Sequence, residues 1–368
     1  MTNGTTGASD ASEGARSPRS VLRRVWLWVA NLNFWVIFGG FSGLGLLAMQ
    51  TERFSPLAVV FFLMAGILPM VFQTVGSDED EHGYEYEISN RERLRYVVSA
   101  LVWSITPWGI LTQILQFGGQ LFAMRRYRRQ YPSHDYRLPE SDLTLPFDGQ
   151  WTVVNGGVTE ETSHSWMLVS QRYAYDFFIT DGDGASHTGD GTDLEQYYAF
   201  GEPIRAPAAG RVVATKDGLR DHPWPGSGWL EWRTWDIRGN HVVLEHADGE
   251  YSLLAHLREG SVAVSAGDHV ERGEVLGECG NSGHSGEPHL HYQLQDNPNF
   301  WTAASLVPQF RDATVTRDDG RRDGHEFYRP PDGDASVAYL WAGDRVANAD
   351  SERVPPEQSA TTDRSRSS

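Results

Sequence analysis

The sequence predicts an all-β domain preceded by an α-helical membrane region, and a contrast in composition carries that prediction. Residues 21–124 are dominated by Leu, Val, Phe, Trp and Gly, whereas residues 131–368 are polar, acidic and rich in glycine. In the second part, runs of four to seven β-branched or aromatic residues alternate with Gly, Asp and Asn, which is typical of strands and turns. A chain of 368 residues is long enough for two parts with separate apolar interiors.

Three stretches without any charged residue indicate membrane-spanning helices: residues 25–49, 56–75 and 97–122. Each has about the 20 residues that a helix needs to cross a bilayer. No small-residue cleavage site follows the first stretch, so we expect it to remain as an anchor rather than a signal peptide. The third stretch contains Pro and three Gln, so a position in the membrane interface is the alternative to a third span.

Arginines beside these stretches predict a cytoplasmic N-terminal tail, residues 1–24, and an extracytoplasmic C-terminal part. Three spans would leave five arginines outside and seven inside, the latter being Arg16, Arg19, Arg23, Arg24, Arg91, Arg93 and Arg95. If the third stretch does not cross, the C-terminal part faces the cytoplasm. The sequence therefore predicts a multi-pass protein of the cell membrane, with the lipid bilayer as a partner.

Charge and cysteine content exclude several other classes of protein. The formal net charge of −18 argues against nucleic acid as a partner, because phosphate binding requires a basic surface. A single cysteine, Cys279, excludes an intramolecular disulfide and a cysteine-cluster metal site, and we expect it in the core. Lys216 is the only lysine and lies outside the hairpin in which a lipoyl or biotinyl carrier would need one.

The strand-like runs place one β domain at residues 146–310, after a linker at 125–145. The predicted strands are WTVV, YAYDFFI, GRVVAT, NHVVLEH, YSLLAHL and HYQLQ. A C-terminal extension should cover residues 311–346, and the polar residues 347–368 should form a disordered tail. The tryptophan-rich insert at 222–235 is either a lid over a substrate or packing at the domain edge.

His289 and His291 are the first candidates for a functional site. Two residues apart on a probable strand, they point to the same face and lie about 7 Å apart along the chain. Such a pair can share one metal-centred site; two histidines on a solvated strand face are the alternative. His222 and His284 fall in loops rich in Gly, Pro and Ser, where we expect them to be solvated.

The motifs around this pair resemble those of the LytM/lysostaphin-type zinc metallopeptidases. They are LLAHL, the turn GDHVERG, then GNSG and PHLHYQ, together with the upstream SHSWMLVSQRYAYDF and GNHVVLEH. The resemblance covers roughly residues 145–310. It implies a compact β-sandwich or barrel that binds one Zn²⁺ and hydrolyses peptide bonds, by likeness those of the cell envelope. A catalytically silent member that binds or activates another hydrolase is the alternative.

The resemblance also implies a role for each residue that matches the family motifs. The implied metal ligands are His164, Asp176 and His291, and the implied catalytic histidines are His256 and His289. Eleven residues separate His164 from Asp176, where three is the commonest spacing in the family. Because no histidine occurs in 165–175, His164 is the nearest candidate, and His187 is the alternative ligand.

Overall fold

The computed structural model describes residues 90–128, 130–133, 136–160, 162–163, 165–247, 249–316 and 337–349. It begins with two helices, α1 (Asn90–Ser104) and α2 (Pro107–Tyr127). The chain bends by 85° between them, at Thr106 and Pro107. Proline lacks an amide hydrogen and disfavours a helical conformation in the preceding residue. Thr106 is accordingly extended, and its hydroxyl caps α2 by accepting a hydrogen bond from the Gly109 amide at 3.0 Å.

The third stretch of the sequence prediction, residues 97–122, is therefore not one continuous helix. Among the residues that the structure describes, no single helix is long and apolar enough to cross a membrane, and only the bent pair of α1 and α2 passes that test together. The two earlier predicted spans, at 25–49 and 56–75, lie outside the described residues, as does the tail 1–24.

Fourteen strands follow in the described part of the chain, with a short 3-10 helix at Leu194–Gln196. They are β1 (Trp151–Asn155), β2 (Tyr175–Phe178), β3 (Pro203–Arg205), β4 (Gly210–Lys216), β5 (Asn240–Glu245), β6 (Tyr251–Leu257), β7 (His269–Val270), β8 (Val275–Glu278), β9 (Leu290–Gln295), β10 (Ser305–Leu306), β11 (Phe310–Arg311), β12 (Ala313–Thr316), β13 (Val337–Ala338) and β14 (Arg345–Asn348).

Ten of these strands form one antiparallel sheet in the order β12-β14-β1-β2-β9-β6-β5-β4-β7, with β10 paired to β9. Two small antiparallel pairs, β3 with β8 and β11 with β13, lie beside it. The prediction of a mostly β domain is confirmed. Each of the six predicted strands is present, because alternating β-branched and aromatic residues suit a pleated sheet with a buried face.

The largest apolar core lies against one face of the sheet and contains Trp151, Tyr175 and Tyr292. It also takes in Leu143, which is 0% exposed and falls in the segment that the sequence assigned to a linker. Cys279 is buried in the same cluster, as predicted. Strands β12 and β14 lengthen the sheet beyond β1, so the region assigned to a C-terminal extension and the first residues of the expected tail contribute to the domain.

Helix α2 packs closely on the β domain through small residues. Its buried positions are Gly109, Thr112, Gly119 and Ala123. A side chain at Gly119 would have its Cβ 1.7 Å from the Trp301 carbonyl oxygen, so only glycine allows this approach. An ion pair of 2.7 Å between Arg126 and Asp296 fixes the C-terminal end of the helix.

Candidate metal and catalytic site

Three neighbouring strands bring the sequence-predicted residues together. In the register of the sheet, Asp176 on β2 pairs with His291 on β9, and His291 pairs with Ala255 on β6. His256 follows Ala255 directly, and His289 lies one residue before β9 begins. Four of the five predicted site residues therefore meet at one place in the sheet, although the sequence separates Asp176 from the last histidine by more than 100 residues.

Asp176 and His291 are in direct contact, with Oδ1 of the carboxylate 2.9 Å from Nδ1 of the imidazole. Asn155 on β1 donates a hydrogen bond of 3.1 Å to the other carboxylate oxygen. On the far side of the His291 ring, Nε2 lies 3.2 Å from Oε1 of Gln293. All three contacts fix the orientation of the pair.

His289 is held between two rings. Phe178 stacks parallel to it with ring centroids 4.8 Å apart, and the His256 ring lies at the same distance with a tilt of 49°. Its Nδ1 is 2.8 Å from the Glu287 carbonyl oxygen, and its Nε2 is 3.7 Å from Oδ1 of Asp176. A proton on Nδ1 donated to that carbonyl leaves Nε2, the nitrogen beside Asp176, with its lone pair.

His256 reaches the site because the strand alternation is broken at its position. Leu254 and Leu257 both lie in the main apolar core, although they are three residues apart. Between them His256 adopts a φ of 62°, in the left-handed region, and so leaves the core face. Its Nδ1 is 2.8 Å from the Ser282 carbonyl oxygen, so Nε2 again keeps the lone pair.

The electrostatics of the cluster favour neutral rings at His256 and His289. Burial lowers the pKa of His256 well below its usual value, and the neighbouring His289 and His291 lower it further. Burial also lowers the pKa of His289, against the attraction of Asp176. For His291, burial opposes the charged form, but the hydrogen bond to Asp176 and its charge outweigh this effect and raise the pKa.

The remaining predicted ligand, His164, lies outside the described residues. The alternative, His187, lies beside Tyr197 with ring centroids 5.0 Å apart, and its Nδ1 is 3.2 Å from the Thr188 carbonyl oxygen. The structure thus places His187 in the loop before the 3-10 helix, against residues other than Asp176 and His291.

The donor pair of Asp176 and His291 fits a zinc ion. Two ligands of a tetrahedral zinc site, each about 2.0–2.1 Å from the metal, are about 3.3 Å apart, close to the 2.9 Å between Oδ1 and Nδ1. One carboxylate oxygen and imidazole nitrogens are donors that zinc prefers. Within the described ranges no group of three or more His, Cys, Asp or Glu side chains has the geometry to hold a metal ion, so a complete site requires a further ligand such as His164.

The sequence analysis did not single out a row of buried glutamines beside His291, the predicted metal ligand. Gln293 and Gln295 share the polar face of β9 with His291, and a hydrogen bond of 2.6 Å joins their amides. Gln293 also donates to the Ser170 carbonyl oxygen at 3.0 Å, and Gln116 of α2 donates to the Ser170 hydroxyl at 3.3 Å. The sequence did indicate this row, because the spacing of two residues in HLHYQLQ puts His291, Gln293 and Gln295 on one face of the strand.

The expectation that His222 and His284 are solvated is wrong. His222 is 2% exposed and packs edge-on against Trp224, and the His284 ring lies 4.6 Å from that of Trp103 on α1. Burial lowers the pKa of His284 to about 4. His222 is buried and His284 is half-buried because the insert at 222–235 folds against α1, a contact that no local sequence pattern indicates.

Comparison with known proteins identifies a domain within the chain. The model of Peptidase family M23 matches residues 187–301, a range that contains His256, His289 and His291 and begins after Asp176. The chain carries a peptidase M23 domain of the LytM/lysostaphin family. The resemblance drawn from the sequence motifs is confirmed.

Several curated proteins are similar to the M23 domain over part of their length. The glycyl-glycine endopeptidase ALE-1 of Staphylococcus capitis is 28% identical over 148 residues, which is 40% of this chain and 35% of that protein. The peptidoglycan DD-endopeptidase ShyA of Vibrio cholerae is 33% identical over 104 residues, 28% of this chain and 19% of that protein. The DD-carboxypeptidase/endopeptidase Mpg of Neisseria meningitidis is 44% identical over 92 residues, 25% of this chain and 19% of that protein.

The match thus spans about a third or less of each relative. Among solved structures, a zinc-containing peptidase from Vibrio cholerae aligns with 46% of this chain and 40% of its own, at 19% identity and a TM-score of 0.28.

Proposed function

We propose that the M23 domain is a zinc metalloendopeptidase that hydrolyses peptide bonds in cell-envelope peptides. The observation that carries the proposal is the buried cluster in which Asp176, His256, His289 and His291 meet, three of them within the range matched by the family. A carboxylate beside one imidazole, with two further imidazoles at its edge, is suited to hold a metal and to transfer protons.

In this proposal Asp176, His291 and His164 hold the metal. A zinc ion bound there would polarise the peptide carbonyl and lower the pKa of a water molecule to about 7. His256 and His289 each keep a lone pair on Nε2, because Nδ1 is committed to a backbone carbonyl. Each can therefore accept the proton of the attacking water or return it to the leaving amine.

The substrate class is inferred from the relatives. ALE-1 is a glycyl-glycine endopeptidase and ShyA a peptidoglycan DD-endopeptidase. We infer that this domain acts on short, flexible peptides of the same kind. The charge of −18 gives no support for a nucleic acid substrate.

We further propose that the chain is anchored in the cell membrane and that the M23 domain faces the envelope. The uncharged stretches at 25–49 and 56–75 support the anchoring. A cysteine introduced at the exposed Ala266, in a Cys279→Ala background, should react with a membrane-impermeant thiol reagent in intact cells. Reaction only after lysis would place the domain in the cytoplasm.

Paired substitutions test the site itself. His291→Ala should lose zinc, because two remaining ligands make a weak site. His256→Ala and His289→Ala should keep one zinc per chain, yet lose turnover by roughly 10²–10⁴-fold, the usual contribution of general acid–base catalysis. Zinc content and cleavage of a library of envelope peptides by the full chain are the two measurements.

A matched pair identifies the third ligand. His164→Ala should lose zinc, whereas His187→Ala should retain it, because His187 lies against Thr188 and Tyr197. The reverse result would exchange the two assignments. A wild-type chain that binds zinc but cleaves no library member would instead support the silent regulatory role.

A further inference from the structure

Helix α2 has its polarity inverted relative to a helix of a water-soluble domain. The stripe that faces the β domain consists of small and polar residues, namely Gly109, Thr112, Gln113, Gln116, Gly119, Gln120 and Ala123. The side that faces outward is apolar, and its exposed residues include Trp108, Leu111, Ile114, Leu121 and Phe122. In water the apolar stripe of such a helix faces the core, so the arrangement here indicates an apolar environment outside the domain.

The inner stripe is satisfied by hydrogen bonds, so it has no reason to turn outward. Gln120 donates to the Met167 carbonyl oxygen at 2.7 Å and accepts from the Val169 amide at 3.0 Å. Gln113 donates to the Ser104 carbonyl oxygen at 3.0 Å, across the bend between the helices. These bonds fix the rotation of α2 and keep its apolar side exposed.

Helix α1 continues the same outer surface. Leu94, Leu101 and Val102 of α1 and the following Ile105 are exposed, whereas Ser99 and Trp103 are buried. The tryptophan-rich loop packs beside them, since the Leu230 amide donates to the Ser99 hydroxyl at 3.1 Å and the Trp103 indole to the Thr234 carbonyl oxygen at 3.3 Å. Four tryptophans of that loop stay between 38% and 54% exposed: Trp224, Trp229, Trp232 and Trp235.

The charge on the helix pair complements an anionic membrane. Residues 96–124 contain no charged side chain. The only acid in 90–128 is Glu92, and arginines lie at both ends, namely Arg91, Arg93, Arg95, Arg125, Arg126 and Arg128. Although the chain has a net charge of −18, the ends of this helix pair are basic and therefore attract anionic lipid headgroups. Half-exposed tryptophans are typical of the membrane interface.

We propose that the outer side of α1 and α2, together with the Trp224–Trp235 loop, is a bilayer-docking surface that lies in the interfacial region of an anionic membrane. Amphipathic helices with arginines at the headgroup level bury their apolar side in that region. The 85° bend gives two short helices in place of one span, which suits a surface that enters the bilayer without crossing it. The two stretches at 25–49 and 56–75 would then return the chain to the side on which it starts, so a domain on the envelope side requires the N-terminal tail on that side too, opposite to the orientation that the arginines predict.

This surface would hold the candidate metal and catalytic site close to the membrane. The Trp224–Trp235 loop also contacts the segment that orients the catalytic histidines, since the Gly226 amide donates to the Gly286 carbonyl oxygen at 2.9 Å. The proposal deepens the proposed membrane location and is independent of zinc binding, so its failure and that of the peptidase proposal can be told apart.

Spin labels in the full chain, reconstituted in nanodiscs with anionic lipid, test the surface. Single cysteines at Ile114, Leu121 and Trp224, in a Cys279→Ala background, report on the surface, and Ala266→Cys in an exposed turn of the β domain is the matched aqueous control. We expect oxygen to reach the three labels much better than a water-soluble nickel chelate does, with the opposite order at Ala266. In nanodiscs of zwitterionic lipid alone, the three labels should lie at a shallower depth.

Two other outcomes would overturn the proposal. Poor access of both reagents at Ile114 and Leu121 would mean that protein covers the surface, either residues 25–75 of this chain or a second copy. Ready access of the nickel chelate at all three sites would mean that the surface faces water. Dilution of labelled with unlabelled chain distinguishes a second copy from the chain's own residues, because only a second copy gives label-to-label broadening that dilution removes.

Discussion

The two faces of strand β9 are both closed to water, but they are filled by different chemistry. Leu290, Tyr292 and Leu294 belong to the main apolar core and are 0% exposed. On the other face, His291, Gln293 and Gln295 are also buried. The first face is stabilised by removal of apolar surface from water, whereas the second is stable only because each polar group has a partner.

The difference shows what each face requires from the rest of the chain. The apolar face requires mainly that its side chains fill the core with suitable volume and shape. The polar face needs hydrogen-bond partners at defined positions, and the Ser170 and Asn297 carbonyl oxygens accept hydrogen bonds from Gln293 and Gln295. Helix α2 supports that arrangement through Gln116 and Ser170. The positions of Gln293 and Gln295 beside the candidate metal site are therefore specified by hydrogen bonds.

Removal of volume from the apolar face should have the largest effect on stability. Leu294→Ala should lower the free energy of unfolding by about 2–5 kcal/mol, since it removes buried methyl groups and leaves a cavity. Zinc content per folded chain should not change, because Leu294 points away from His291. Thermal and denaturant unfolding measure the loss of stability, and metal analysis measures the zinc content. Val275→Ala, at an exposed strand position, should cost less than about 0.5 kcal/mol.

The pH dependence of the free energy of unfolding tests the same contrast on β5. There His241 is a buried polar residue outside the apolar core. Burial, with a contribution from Arg238, lowers its pKa from 6.5 to about 4. Protonation therefore favours the unfolded chain, so the stability contributed by the neutral ring is complete above pH 6.5 and is lost as the pH falls toward 4. The loss is at most about 3 kcal/mol.

The His241→Asn variant supplies the control for that titration. The difference between wild type and variant in unfolding temperature should shrink between pH 7.5 and pH 4.5, since only the wild type carries this titrating ring. A constant difference over the range would contradict the assignment.

The elements of the sheet were predictable from the sequence because their signal is local. NHVVLEH becomes β5 and YSLLAHL becomes β6, each within a residue. The same period of two placed His289 and His291 on one face. The position of Asp176 beside them came from the family resemblance, and the register of β2 with β9 supports it.

What escaped prediction depends on contacts between distant parts of the chain. His222 is buried because the tryptophan-rich loop folds against α1, and Leu143 because its segment enters the core. Uncharged composition suggested one helix over 97–122, but Thr106 and Pro107 end α1 and start α2. The proline was visible in the sequence and outweighed the apolar pattern.

On the polar face, the substitution Gln293→Leu should weaken zinc binding more than it weakens the fold. The leucine cannot accept a hydrogen bond from His291, and groups that orient a metal ligand typically contribute 10–100-fold in affinity. It also leaves the Ser170 carbonyl oxygen and Gln295 without their donor, which costs about 1–3 kcal/mol of stability. Competition with a zinc chelator and thermal unfolding measure the two effects.

Two further variants separate the roles of the two faces. Gln293→Glu keeps an acceptor oxygen for His291 but not the donor for Ser170, so it should recover most of the zinc affinity while remaining less stable than wild type. Tyr292→Phe, one residue away on the apolar face, removes a hydrogen bond of 2.9 Å with Ser252. It should cost about 1 kcal/mol of stability and leave zinc affinity unchanged. Equal loss of zinc affinity in Gln293→Leu and Tyr292→Phe would mean that zinc binding weakens whenever β9 is destabilised. In that case Gln293 would not orient His291.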